Sequence, residues 1–321
     1  MKKIIALILT FVLVLTLFSS CASKNENKTN DKLTIVTTIF PEYDWVMNIL
    51  GSLADEADVI MLLDSGVDLH SYQPTANDIM KVSTCDIFIY IGGESDKWVN
   101  DALKTARNDK MIKISLMDEA KSYIKEEEMV EGMQAEEEDA EETAYDEHLW
   151  LSLKTTAFLV DTISKAIQTA DSQHADVYAD NTKAYIEKIN ELDTEYTKTV
   201  KEAKKDTLLF ADRFPFRYMT DDYSLKYYAA FMGCSAETEA SFETVKFLAK
   251  KTDELSLNSI ITIDGSNAKI ADTVIQNTEG KNQKVLIMNS MQSITAKDVK
   301  EGISYLSIME ENLKVLKEAL N

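Results

Sequence analysis

Positive charge is scarce in this chain: 34 Lys and Arg face 55 Asp and Glu across 321 residues, a formal charge of −21. Nucleic-acid binding draws its affinity from cations on phosphates, so this balance argues strongly against it. Glycine and proline are also few, nine and three. With 45% hydrophobic and 28% charged residues, that composition excludes wholesale disorder and leaves enough chain for two ordinary domains. The longest apolar run, Ile4 to Phe18, falls short of the ~20 residues that a membrane-spanning helix needs, which excludes a polytopic membrane protein. Catalytic signatures are missing too: there is no Gly-rich phosphate loop, no GxSxG elbow, no paired-cysteine zinc pattern and no His-Glu-x-x-His helix. Only three histidines occur, so each can be weighed individually.

The N-terminus has the layout of a signal peptide over residues 1–20: Lys2 and Lys3, the apolar run, then small residues before Cys21. Cys21 directly follows "LFSS", which resembles a bacterial lipoprotein cleavage box with Phe18 at a position more often aliphatic. A diacylglyceryl group on its sulfur supplies the two acyl chains that stable anchoring requires. The expectation is a protein tethered by residues 21–32 to the outer face of the cytoplasmic membrane, with 32 basic against 55 acidic residues and a charge of −23 once the signal is removed. Cys85 and Cys234 lie in different halves of the chain and read as buried free thiols, not a disulfide.

From Leu33 onward, short β-branched or aromatic runs alternate with helical patterns. The first half has "LTIVTT", "ADVIML", "DIFIYI" and "MIKI"; the second has "TLLFA", "YYAAF", "SIITI" and "VLIM". Strands separated by amphipathic helices imply parallel sheets covered on both faces. The expected fold is therefore α/β, with two lobes (33–173 and 206–321), each a mainly parallel four-stranded sheet flanked by helices. Local punctuation agrees: Pro41 sits in the first turn of one helix and Gly51 just past its end, and Thr75 with Asp78 has capping-box spacing. Between His148 and Lys205 there is neither Gly nor Pro, and Tyr185, Ile189, Leu192 and Tyr196 recur at helical spacing. Residues 174–205 thus read as one long, stiff linking helix of roughly 45 Å. The segment 126–147 carries twelve acids and no basic residue. It reads as a solvated, mobile loop inserted in the first lobe, which raises the local cation concentration.

His70, in "SGVDLHSYQPT", follows the strand "ADVIML" and precedes a capped helix, where ligands gather at the carboxyl ends of strands in open α/β sheets. A lone loop histidine is more often a solvated surface residue. His148, in "YDEHLWLS", stands between the acidic insertion and a helix, beside Trp150. His174, in "DSQHADVYADN", reads as an exposed residue at a helix start.

Taken together and in order, these three segments resemble the zinc and manganese solute-binding proteins of bacterial ABC importers. The resemblance covers essentially the whole mature chain, including "TTIFPEYDWV" and an acidic insertion before the second His. It rests on Gly-x-x-x-His at Gly66 to His70 and Asp-x-His-x-Trp at Asp146 to Trp150. It implies metal ligation by His70 and His148, none by His174, and two further ligands from the second lobe. One is Asp264, directly after Ile263 in "SIITIDGSN", although a turn-forming Asp before Gly265 has the same appearance. For the other, the family has a His, sometimes a Glu, after the first strand of that lobe. Here "LLFADRFPFRYMTDDYSL" has no His. Asp212 is the candidate, with Glu239 in "AETEASF" as the alternative ligand or as a partner for Arg213 or Arg217. Two imidazoles with carboxylates suit Zn2+, with Mn2+ as the alternative. The resemblance further implies a monomeric, non-enzymatic binding protein that serves an ABC permease. An extracellular metallohydrolase using Asp146 or Glu147 as base, or a surface adhesin, are the more remote readings.

Overall fold

The computed structural model describes residues 32–134, 145–235 and 239–321. The expected signal peptide, Cys21, the tether up to residue 31 and residues 135–144 of the acidic insertion lie outside the described residues. Among those described, no helix is long and apolar enough to cross a membrane.

Eight strands form two sheets. In the first, β1 (Leu33–Thr37), β2 (Ala57–Met61), β3 (Ile87–Tyr90) and β4 (Ile112–Ser115) lie in the order β2-β1-β3-β4. In the second, β5 (Thr207–Phe214), β6 (Lys226–Met232), β7 (Ser259–Ile263) and β8 (Lys284–Met288) lie in the order β6-β5-β7-β8. Every pairing is parallel. The expected α/β class with two parallel four-stranded sheets is borne out. In each sheet the chain reverses direction of winding beside its first strand, so the loops after the strands gather at a switch point.

The local signals act as read. Thr75 and Asp78 cap the helix Ala76–Thr84 reciprocally: the Asp78 amide donates to Thr75 Oγ1 at 3.2 Å and the Thr75 amide to Asp78 Oδ2 at 3.0 Å. Pro41 lies in the first turn of Phe40–Leu50, and Gly51 ends that helix at φ 54°, a left-handed value that favours glycine.

A 28-residue helix, Ala175–Glu202, runs between the two sheets in sequence and buries Tyr185, Ile189, Leu192 and Tyr196 along one stripe. Its polar contacts reach both halves of the chain: Asn181 Nδ2 donates to Ile49 O at 3.0 Å, and Tyr196 Oη to Met309 O at 2.6 Å. The C-terminal helix Tyr305–Ala319 returns to the first half, where the Tyr305 hydroxyl donates to Trp150 O at 2.7 Å and its ring lies edge-on to Trp45 at 5.6 Å. Residues 33–321 consequently form one compact unit.

Asp44 is enclosed in this seam, 8% exposed, and accepts from Tyr185 Oη at 3.1 Å and Asn48 Nδ2 at 3.0 Å. Burial raises its pKa from an ordinary 3.8 to about 6 despite the Tyr185 hydrogen bond. Because the folded-state value is the higher one, the contribution of Asp44 to stability is fully present below about pH 3.8 and is lost as pH rises through about 6. Asp44→Asn removes the titration. Its stability relative to the parent should therefore rise between pH 4 and pH 7, by up to roughly 3 kcal/mol, and level off above. Urea unfolding midpoints across that range are the measurement, and a pH-independent difference would contradict the assignment.

Candidate metal centre

His70 follows β2 in a short 3-10 turn, Leu69–Ser71, whose N-cap Asp68 accepts from the His70 amide at 3.0 Å. The other carboxylate oxygen of Asp68 receives Arg213 Nη2 at 2.7 Å, so the turn is tied to β5 of the second sheet. His70 Nδ1 meets Ser95 Oγ at 2.9 Å in the loop after β3, and the Ser95 amide donates to Glu147 Oε1 at 2.9 Å. His148 is fully buried, with its amide and its Nδ1 both on Asp146 Oδ1, at 2.8 and 2.9 Å. A carboxylate only accepts, so Asp146 holds the proton of His148 on Nδ1, and both rings have Nδ1 engaged and Nε2 turned inward.

The two Nε2 atoms are 3.3 Å apart. Tetrahedral zinc with bonds of about 2.0–2.1 Å separates two nitrogen ligands by about 3.3 Å. Cys234, just past the end of β6, joins them: one donor atom from each of His70, His148 and Cys234 lies within 4.8 Å of the others. Trp150, fully buried, stands edge-on to His148 at 5.2 Å and closes one side against water.

Electrostatics favour a cation here. Burial, and then the neighbouring His148, lowers the His70 pKa to about 3, which leaves that ring neutral. Burial also opposes charge on His148, but Asp146, helped by Glu127 and Glu147, holds its pKa above the ordinary value. Two carboxylate oxygens in this shell, Asp146 Oδ2 and Glu147 Oε2, are buried without a hydrogen-bond partner. Buried polar atoms left without a partner are costly. A divalent ion at the imidazoles would replace the Nε2–Nε2 contact and is favoured by the neighbouring carboxylates of Asp146, Glu127 and Glu147.

Residues 35–319 match the family model described as "Zinc-uptake complex component A periplasmic". The chain belongs to that family. It is 30% identical over 321 residues to the zinc-binding lipoprotein AdcA of Streptococcus pneumoniae (strain ATCC BAA-255 / R6), covering 99% of this chain and 61% of AdcA. It is 28% identical over 316 residues to the high-affinity zinc uptake system protein ZnuA of Bacillus subtilis (strain 168), covering 97% and 94%. The Zn(II)-bound ZnuA-like domain of Streptococcus pneumoniae AdcA superposes with a TM-score of 0.70 at 27% identity, over 90% of this chain and 99% of that domain. The chain thus spans about three fifths of the length of its AdcA relatives. The zinc-uptake component family is one of metal-binding proteins, not of enzymes.

Within this family frame, the structure brings together His70 and His148 but not the expected carboxylates. Asp212 sits where the β5–β6 register shifts between Phe210 and Arg213. The irregularity turns its carboxylate sideways, and it accepts from the Ile263 amide at 3.3 Å and the Arg213 amide at 2.9 Å. Glu239 is exposed and lies outside the cluster. It does not offset Arg213 either, since Asp68 does. Asp264 is at the tip of β7, but its oxygens are occupied: Oδ1 receives the amide and hydroxyl of Ser290 at 2.6 and 2.7 Å, and Oδ2 the Ser293 hydroxyl at 3.1 Å. His174 forms the N-cap of the long helix, with Nδ1 on Asp171 Oδ2 at 2.7 Å.

Two residues at the centre escaped the sequence reading. Cys234 is half-buried and lines the centre, unlike Cys85, which is fully buried and donates to Val82 O at 3.3 Å. Gln292, 3% exposed, lies beside His70. The acidic insertion also differs from a wholly solvated loop. Glu127 accepts from the Cys234 amide at 3.2 Å, Glu128 pairs with Arg217, and Met133 is buried. The apolar and amide groups of 129–134, including a 2.9 Å bond from the Gln134 amide to Ala230 O, provide what the charge count conceals.

Gly233 allows the close approach of β6 to this centre. A Cβ there would lie 2.8 Å from Phe214 O and 3.1 Å from His148 Cε1. Gly233→Ala should therefore displace His148 or the Cys234 loop and weaken zinc binding about 10- to 100-fold, the range for disturbing a ligand's supporting shell. Competition against a chelating dye reads the effect, and unchanged affinity would show that the backbone gives way without cost.

Proposed function

We propose that this chain is the extracytoplasmic metal-binding component of a bacterial ABC importer, which captures Zn2+ between the two sheets and delivers it to a transmembrane permease. The observation that carries the reading is the 3.3 Å spacing of the two inward Nε2 atoms, which matches two ligands of one tetrahedral zinc. The names of the relatives, zinc-binding lipoprotein and high-affinity zinc uptake system protein, support zinc as cargo. Zn2+ is favoured over Mn2+ because the paired imidazoles are borderline donors, while Mn2+ prefers oxygen-rich shells of higher coordination number.

The working protein is a monomer held at the outer face of the cytoplasmic membrane by lipid on Cys21. It is not an enzyme. A metal-bound hydrolytic centre needs a nearby general base on a water, whereas Asp146 and Glu147 hold His148 and Ser95. The carboxylates of residues 126–147 attract cations over a range of ~8 Å at physiological salt and so act on capture.

His70→Ala and His148→Ala should each reduce Zn2+ affinity by more than the roughly 10- to 100-fold expected for a supporting residue. His174→Ala should leave it unchanged, because that ring faces solvent and Asp171. Dye-competition titrations of the three variants decide the matter. Equal losses for His174→Ala and His70→Ala would sink the assignment of the centre.

A further inference from the structure

We infer that the third protein donor to the metal is the thiolate of Cys234, which makes the centre a mixed imidazole and thiolate site. This rests on the proposed metal-binding function and names the donor that replaces the second-lobe histidine absent from the sequence. The geometry is specific. Among the described residues, His70, His148 and Cys234 are the one group of His, Cys, Asp or Glu side chains whose donor atoms converge within 4.8 Å. The residues that otherwise compete for the role are engaged elsewhere or exposed, Asp212 on the Ile263 amide, Asp264 on Ser290 and Ser293, and Glu239 on the surface.

Three further features support the site. Gly233 brings the β6 tip flush against the His148 ring. Glu127 fixes the Cys234 backbone from across the chain. Gln292, 3% exposed, places its side-chain amide beside His70. Asp264, by holding Ser290 and Ser293, positions the loop that carries Gln292.

On binding, the Cys234 S–H bond breaks, its proton passes to solvent, and the sulfur lone pair forms the bond to the metal; no oxidation state changes. Two neutral imidazoles and one thiolate would leave a bound divalent ion with a single positive charge, which the neighbouring carboxylates of Asp146, Glu127 and Glu147 favour. A thiolate is a soft donor. It favours Zn2+ and its tetrahedral analogues Co2+ and Cd2+ and penalises Mn2+, whose preferred ligands are hard oxygens.

Co2+ titration of the full chain tests this. A near-ultraviolet sulfur-to-cobalt charge-transfer band should appear at one equivalent. It should persist in Cys85→Ser and Cys21→Ser and vanish in Cys234→Ser, which should also bind Zn2+ more than about 100-fold more weakly. A measurement that needs no folded variant accompanies it: saturating Zn2+ should protect Cys234 from iodoacetamide, as read by peptide mass mapping. Co2+ bound without the band, or alkylation of Cys234 at an unchanged rate under Zn2+, would overturn the thiolate while leaving the metal-binding function in place. Failure to bind either ion would overturn both.

Discussion

Two imidazole nitrogens meet 3.3 Å apart, with the carboxylates of Asp146, Glu127 and Glu147 near enough to favour positive charge on the rings. Much of the architecture around the centre fixes that arrangement. Each ring is oriented by a partner on Nδ1, Ser95 for His70 and Asp146 for His148. Those partners are themselves linked, because the Ser95 amide binds Glu147, which directly precedes His148 in the chain. Asp146 and Glu147 are each held through one oxygen, on His148 and Ser95, and together with Glu127 they favour positive charge at His148.

The same residues hold the two sheets together. Asp68 caps the His70 turn with one oxygen and receives Arg213 of β5 with the other. Trp150, which shields His148, donates its indole N–H to Ser290 O at 2.8 Å, on the loop that Asp264 organises. A bridge between Ser65 and Thr295 and a 2.7 Å bond from the Ala296 amide to Asp64 O lie close by in the chain. The candidate metal centre and the inter-sheet contacts thus share loops.

Composition alone misleads about the acidic insertion. Its charge density reads as uniformly solvated, yet residues 126–134 lie against β6 and the helix that follows it, with Glu127 on Cys234, Glu128 on Arg217 and the Ser241 amide on Gln134 Oε1 at 2.7 Å. Each cation whose presence near a metal centre looked unfavourable has a carboxylate opposite it. Arg213 has Asp68, and Arg217 has Glu128.

What the sequence by itself determined is whatever local pattern controls. Alternating strand and helix periods specified two parallel sheets, Thr75 and Asp78 specified a cap, and Gly66 to His70 with Asp146 to Trp150 marked the two histidines that meet. Only the tertiary structure decided where the other candidate donors lie. Asp212 looks like a strand-tip ligand in sequence, but an irregularity in β5 turns it toward β7, and no local signal announces that shift. Cys234 looked inert because it was weighed as a disulfide partner for Cys85. The rule that singled out Asp264, a donor directly after a strand and facing the switch point, applies equally to the Gly-Cys that ends "YYAAFMGC". Whether such a residue reaches the metal depends on how closely β6 approaches His148. That distance is set by packing between segments 86 residues apart, and spacing along the chain does not encode it.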